Sequence, residues 1–308
     1  MRRFSMLGSV LVCLLIACGG AGDGGGGAED RAGGAEAGAG GAEGGTGGAE
    51  EAAGGAEGGT GGAGDTAGEV DGARTTEETT SLVQSRADPG FRSETVTFTT
   101  EDGVSIVATL MQPHTVEGRV PAVVLIHQGG SSREEWASYA HTLPAAGYVA
   151  LAYDVRGHGD SDSVPDLRGL FDDPLLAPKD LAAAIAMLRA MPVVDGERIA
   201  VVGASIGSNL ACMSIDAFGV KTAVAISGKT SAVFNLAGRE DITLRSIFHI
   251  SSKQDGSGNR ARWAQDLYDR TEGPREIYIA GDDAHGVKIL RNEPELWYRI
   301  MSWLEATL

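Results

Sequence analysis

The sequence predicts an α/β protein whose central sheet holds about eight strands, most of them parallel, with helices on both faces. From Glu94 onward, short runs of β-branched and apolar residues alternate with longer segments of helical composition. Strands separated by helices pair in parallel through right-handed crossovers. Residues 120–127 are almost continuously apolar, as expected of a strand covered on both faces. In such a sheet, reactive groups are expected just beyond the carboxyl ends of the strands.

The predicted elements follow this alternation along the chain. The turn residues Glu101, Asp102 and Gly103 separate the first two predicted strands and indicate a hairpin. Gly147 and Pro192 close the first two predicted helices. The predicted strands are 95–99, 104–111, 120–127, 148–154, 198–203, 222–227, 246–251 and 275–280. The predicted helices are 134–146, 179–191, 205–218, 259–271 and 295–307.

The first eighteen residues have the layout of a secretory signal. A short basic start precedes the apolar run 6–17, which is too short to span a bilayer. Residues 15–18, Leu-Ile-Ala-Cys, resemble the bacterial lipobox, and this resemblance implies a lipid on Cys18 that anchors the exported protein to the cell envelope. The same resemblance implies sorting to the outer membrane, because the cysteine is followed by Gly19 and not by an aspartate. The alternative is an ordinary cleavage site with an incidental cysteine.

Residues 19–80 form a compositionally separate segment. Between positions 19 and 72 the chain carries 25 of its 46 glycines, and 19–80 contains no aromatic residue. Such a segment cannot bury enough apolar surface to offset the entropy of ordering, so a disordered linker rich in Gly, Ala and Glu is expected. Residues 81–308 then form one folded domain. The formal net charge of the chain is −17, and without a basic stripe nucleic-acid binding is not expected.

A Gly-x-Ser-x-Gly sequence provides the sharpest chemical signal. It spans residues 203–207, between a predicted strand and a predicted helix, and places Ser205 in the tight turn. This context is typical of a nucleophilic serine raised above a sheet, since both glycines relieve crowding around the turn. The alternative is an ordinary strand-to-helix turn.

A serine nucleophile needs a base, and the base needs an orienting carboxylate. His285 directly follows the last predicted strand, His127 ends another predicted strand, and His158 lies in the loop 156–159. The remaining histidines lie in a turn, a helix and a strand: His114, His141 and His249. For the carboxylate, Asp255 follows the strand 246–251, and Asp282 and Asp283 are its rivals beside His285.

These motifs together resemble the α/β-hydrolase superfamily, within its dienelactone-hydrolase-like and serine-esterase branch, over about residues 94–308. The resemblance implies that Ser205 is the nucleophile, His285 the general base and then acid, and Asp255 the orienting carboxylate. It also implies an oxyanion hole made by the amide of Ile206 and by that of Gln128 or Gly129. True dienelactone hydrolases carry a cysteine nucleophile, and here the residue is serine.

The resemblance implies hydrolysis of carboxylic esters or related small acyl compounds through an acyl-enzyme, with no cofactor and no metal. A peptidase of the same fold and a catalytically silent surface-binding domain are the alternatives. The segment 228–245 is too short for a helical lid, so little or no cap is expected, although 161–178 could partly roof the site. Arg156 is expected to brace its loop, with a role as a substrate carboxylate clamp as the alternative. Cys212, the one cysteine in residues 81–308, is expected to be a small buried hydrophobe.

Overall fold

The structure is a computed structural model that describes residues 90–308. The predicted signal peptide, the Cys18 lipidation site and the linker 19–80 lie outside the described residues and stay predictions.

One eight-stranded sheet forms the centre of the fold, in the order β1-β2-β4-β3-β5-β6-β7-β8. The first two strands form the predicted antiparallel hairpin, β2 pairs antiparallel with β4, and the remaining neighbours are parallel. The predicted α/β class and strand number are therefore confirmed. The strands are β1 (Phe91–Thr99), β2 (Ser105–Pro113), β3 (Val120–Ile126), β4 (Val149–Tyr153), β5 (Val194–Ala204), β6 (Thr222–Ile226), β7 (Leu244–Ser252) and β8 (Thr271–Ala280).

Helices cover both faces of the sheet. They are α1 (Ala137–Ala140), α2 (Thr142–Ala145), α3 (Ala177–Ala190), α4 (Ile206–Ala217), α5 (Thr230–Ala237), α6 (Asn259–Arg270), α7 (Lys288–Asn292) and α8 (Glu295–Thr307). Leu181 of α3, Leu210 of α4 and Leu267 of α6 belong to the core on one face. Trp297 and Trp303 of α8 belong to the core on the other. Helices therefore cover the middle strands on both sides, which explains why the sequence of β3 is almost continuously apolar.

Two parts of the chain differ from the sequence prediction. The helix predicted over 134–146 is instead a 3₁₀ turn, Arg133–Trp136, followed by the one-turn helices α1 and α2. Pro144 has no N–H to donate to the carbonyl of Ala140, so a continuous helix cannot form there. At the break, the Thr142 hydroxyl donates to the Tyr139 carbonyl oxygen at 2.7 Å and so gives that carbonyl a hydrogen-bond partner. Helices α5 and α7 were not predicted, because both are short.

Cys212 is fully buried in α4, and burial raises the pKa of its thiol to about 12. The thiol therefore stays protonated and unreactive at neutral pH. This confirms the prediction of a small buried hydrophobe.

His249 of β7 is a buried histidine that makes stability depend on pH. Its Nε2 lies 2.9 Å from the Thr271 hydroxyl, which donates its own proton to the Leu267 carbonyl, so Nε2 carries a hydrogen. Burial lowers the pKa of His249 to about 3. In the unfolded chain His249 therefore takes up a proton near pH 6.5, whereas in the folded chain it stays neutral at that pH. The folded state accordingly loses stability as the pH falls below about 6.5.

We expect His249→Gln to remove about 2 kcal/mol of the stability loss between pH 7 and pH 5. The measurement is urea unfolding of both proteins at the two pH values, with the exposed His141→Gln as the matched control. The same pH-dependent loss in wild type and His249→Gln would contradict the prediction.

Candidate active site

Ser205 occupies a strained turn between β5 and α4. Its backbone has φ of 53° and ψ of −108°, a conformation that side-chain-bearing residues rarely adopt. Its N–H donates to the carbonyl oxygen of Ile226 at 2.8 Å. A Cβ at Gly203 would lie 2.0 Å from the Gly207 carbonyl oxygen, and one at Gly207 would lie 2.4 Å from that of Ile126. Both glycines are therefore sterically required, and the turn holds Ser205 at the carboxyl end of β5.

His285 and Asp255 meet at the carboxyl ends of the last two strands. The His285 Nδ1 atom lies 2.7 Å from Asp255 Oδ2. Asp255 is buried, whereas the His285 side chain is 35% exposed. Of the rivals, Asp282 accepts hydrogen bonds from the Asn292 side chain and the Ala284 amide. The carboxylate that contacts the histidine is thus the one from β7.

The loop that carries His285 is fixed against the loop that carries Ser205. The Gly286 amide donates to the Ser227 hydroxyl at 3.0 Å, and Ser205 is bonded to Ile226, the residue before Ser227. A Cβ at Gly286 would lie 3.6 Å from the Cβ of Ala204 and 1.9 Å from Gln128 Oε1. The structure therefore joins Asp255 to His285 and holds the His285 loop beside the strand ends next to Ser205. Within residues 90–308, the Ser205 hydroxyl makes no hydrogen bond to the His285 ring.

Three consecutive amides after β3 differ in their hydrogen bonds. The Gln128 amide donates to Glu135 Oε2 at 3.0 Å, and the Gly130 amide donates to His158 Nε2 at 3.0 Å. Within residues 90–308, neither the Gly129 amide nor the Ile206 amide donates to a protein acceptor. Two amides are thus available to bind an oxygen.

Glu135 was not selected from the sequence, although it reaches this region. Burial raises the pKa of its carboxyl, and this is opposed by the Gln128 amide and by the charges of Arg291 and His285. No sequence motif marks Glu135, because its contact depends on how the 3₁₀ turn packs beneath the loop.

His127 is a structural residue of this loop. Its Nε2 accepts the Val155 amide at 3.0 Å, so the proton resides on Nδ1 and is donated to the Gln128 carbonyl oxygen at 2.7 Å. Burial is the main cause that lowers its pKa to about 4, so the ring is neutral at pH 7. His127 ties the loop after β3 to the loop after β4.

Arg156 braces its own loop and does not reach the site. It is 1% exposed, its Nε donates to Asp180 at 2.7 Å, and its Nη1 donates to Asp102 at 2.8 Å. Because its three nitrogens donate to these two carboxylates, the guanidinium is not available to bind a substrate carboxylate. The bracing role expected for it is confirmed.

A cavity of about 210 Å³ opens beside Ser205. Its volume is below the range of about 300–1,000 Å³ typical of drug-sized ligands, so it fits a small group. Part of the predicted roof segment covers it, and the rest comes from α4, α5 and α6. The lining residues are Phe171, Asp172, Ser205, Asn209, Lys229, Ala232, Asn235 and Arg260.

Two cations of this cavity, Lys229 and Arg260, were missed by the sequence reasoning. Lys229 is the third residue after β6, and Arg260 is the second residue of α6. The expectation that functional groups follow strand ends would have selected Lys229. Arg260 carried no such signal, since a loop separates it from β7.

Among residues 90–308, every helix is too short or too polar to span a bilayer. In the same range, no group of three or more His, Cys, Asp or Glu side chains could hold a metal ion.

Comparisons with known proteins agree with this architecture. The sequence profile of the Alpha/beta hydrolase family matches residues 123–306. The quorum-quenching protein AidA of Acinetobacter baumannii is 35% identical over 105 residues, which cover 34% of this chain and 33% of AidA. The curated relatives are thus matched over about a third of their own length.

Solved structures are similar over most of the described chain. An esterase from Pyrococcus furiosus has a TM-score of 0.58 at 23% identity, covering 71% of this chain and 94% of the esterase. The acetyl xylan esterase from Paenibacillus sp. R4 has a TM-score of 0.58 at 21% identity, covering 73% of this chain and 87% of the esterase. At these identities the likeness is one of fold.

Proposed function

Because this chain belongs to the alpha/beta hydrolase family, we propose that it is a serine hydrolase that cleaves carboxylic esters or related small acyl substrates. The observation that carries the proposal is the 2.7 Å contact between His285 and Asp255 next to the strained Ser205. Esterases among the structures of the same fold support the substrate class.

In the proposed reaction, Ser205 Oγ attacks the substrate carbonyl carbon while His285 takes its proton. Asp255 accepts the Nδ1–H of His285, which fixes the tautomer and leaves Nε2 free to act as the base. The imidazolium then gives the proton to the leaving oxygen as the carbon–oxygen bond breaks. Water repeats the sequence on the acyl-enzyme and releases the acid.

For the oxyanion hole we favour Ile206 and Gly129 over Gln128. The Gln128 amide is occupied by the Glu135 carboxylate, whereas the other two amides have no acceptor among the described residues. Ile206 is also the first residue of α4, where the helix dipole favours negative charge. Each such donor contributes about 3–4 kcal/mol to transition-state stabilisation.

The direct test is covalent labelling. A fluorophosphonate should react with one residue of the native protein, and peptide mass mapping should place the adduct on Ser205. Heat-unfolded protein is the control, since reactivity depends on the folded site. If native protein stays unlabelled and hydrolyses neither esters nor peptidyl anilides, the enzymatic assignment fails. Preferential cleavage of the anilides would replace the esterase with a peptidase.

A further inference from the structure

The cavity beside Ser205 carries excess positive charge in a chain that is otherwise strongly acidic. Lys229 and Arg260 face one carboxylate, Asp172, among the lining residues. The chain holds 25 Lys and Arg against 42 Asp and Glu, so two cations that face one carboxylate depart from its overall charge balance. Two of them next to the proposed nucleophile point to a function in binding.

Neither cation forms an ion pair with a carboxylate within residues 90–308, although the charge of the buried Asp255 acts on Arg260 from a longer distance. Lys229 Nζ lies 5.8 Å from the centroid of the Trp263 ring, and the Arg260 guanidinium carbon lies 5.3 Å from the same centroid. Arg260 Nη1 donates to the Ser227 carbonyl oxygen at 2.8 Å. Both cations contact one indole and line one cavity, an arrangement that an anionic ligand would stabilise.

Arg260 is the deeper of the two charges. It is half-buried, while Lys229 and Asp172 are exposed, where solvent and salt screen them. A guanidinium presents five N–H donors in a planar fork, and one carbonyl oxygen cannot satisfy them. The remaining donors match the two oxygens of a carboxylate.

The position of the cavity indicates which part of a substrate it would take. Ser205 lines it, but His285 does not. The leaving oxygen must lie near His285, because that residue protonates it in the proposed reaction. The group on the other side of the carbonyl carbon, the acyl group, therefore occupies the cavity.

We propose that Arg260 and Lys229 bind a carboxylate at the far end of the acyl group, so that the preferred substrates are monoesters of short dicarboxylic acids. This inference rests on the proposed function. Ser205 Oγ forms the acyl bond, the alcohol leaves with the proton from His285, and water releases the dicarboxylate. The cavity of about 210 Å³ restricts the acyl chain to a few carbons.

A pair of isosteric esters tests the proposal with the full chain. Monoethyl succinate carries a carboxylate where ethyl 4-methylpentanoate carries an isopropyl group, and both release ethanol. We expect kcat/KM for the succinate to exceed that for the neutral ester by about tenfold or more, the scale of a charge-assisted hydrogen bond. The preference should fall as salt is added.

Variants separate the charges from the rest of the site. Arg260→Gln should lower the succinate-to-neutral ratio by about tenfold, and Arg260→Lys should retain more of it. Lys229→Gln should lower the ratio by a smaller factor of about two to five, because Lys229 is exposed. Lys221→Gln, an exposed lysine just before β6, is the matched control and should leave the ratio unchanged. Lys229 is exposed, so its replacement stays informative even if Arg260 variants misfold.

Two failures are distinguishable. Hydrolysis of the neutral ester without a preference for the succinate, or a preference that survives both glutamine variants, would overturn the carboxylate site alone. Absence of hydrolysis together with absence of fluorophosphonate labelling would overturn the proposed function itself.

Discussion

Ser205→Ala should lower kcat/KM for p-nitrophenyl acetate by about 10⁴-fold or more, while the protein remains folded. Removing the nucleophile of a serine hydrolase leaves only the contribution of the oxyanion donors and of substrate binding. The hydroxyl of Ser205 has no hydrogen-bond partner among the described side chains, and alanine at φ of 53° is no more strained than serine. Steady-state kinetics and a thermal melt on the same preparation measure both parts.

Ser214→Ala is the matched control for this variant. Ser214 is buried in the same helix, α4, and its hydroxyl donates to the Ala211 carbonyl oxygen at 2.7 Å. Its replacement should change kcat/KM by less than about twofold, because it lies away from the turn. If Ser205→Ala retained a tenth of the wild-type rate, Ser205 would not be the nucleophile.

Gly203→Ala should destabilise the fold by about 3 kcal/mol or more and abolish activity in any soluble fraction. The added methyl carbon would lie 2.0 Å from the carbonyl oxygen of Gly207 and 2.8 Å from the amide nitrogen of Ser208. These are backbone atoms, so no rotamer change relieves the overlap, and β5 would have to separate from α4. Denaturant unfolding gives the free energy, and ester hydrolysis gives the activity.

Gly281→Ala provides the comparison for this prediction. It lies directly after β8, and no heavy atom comes within 4 Å of its added Cβ. Its midpoint of unfolding should stay close to that of wild type. Equal midpoints for Gly203→Ala and Gly281→Ala would show that the turn tolerates a side chain, against the steric argument.

The fold could be predicted where the sequence pattern is local. The hairpin, the buried parallel strands and the long helices follow from periodicity and turn residues, and all are present. The continuous helix predicted over 134–146 does not form, because Pro144 has no N–H for the hydrogen bond that the apolar pattern around it would otherwise favour. Helix α5 was missed because its eight residues are shorter than the window in which periodicity is readable.

The candidate site was predictable to the extent that single residues follow strand ends. Ser205, His285 and Asp255 each come after a separate strand, and the structure places the last two in contact. The choice between Gln128 and Gly129 could not be made, since it depends on a hydrogen bond that the Gln128 amide donates to Glu135, seven positions away. Arg156 was likewise ambiguous, because Asp102 lies 54 residues earlier in the chain.

Ser227 is hydrogen-bonded to three separate segments around the site. Its amide donates to Ile250, its hydroxyl accepts from Gly286, and its carbonyl oxygen accepts from Arg260. One buried residue after β6 thus fixes the spacing of β7, of the histidine loop and of the charged cavity. A displacement of this one residue would therefore reach the neighbouring strand, the proposed base and the proposed substrate cavity at the same time.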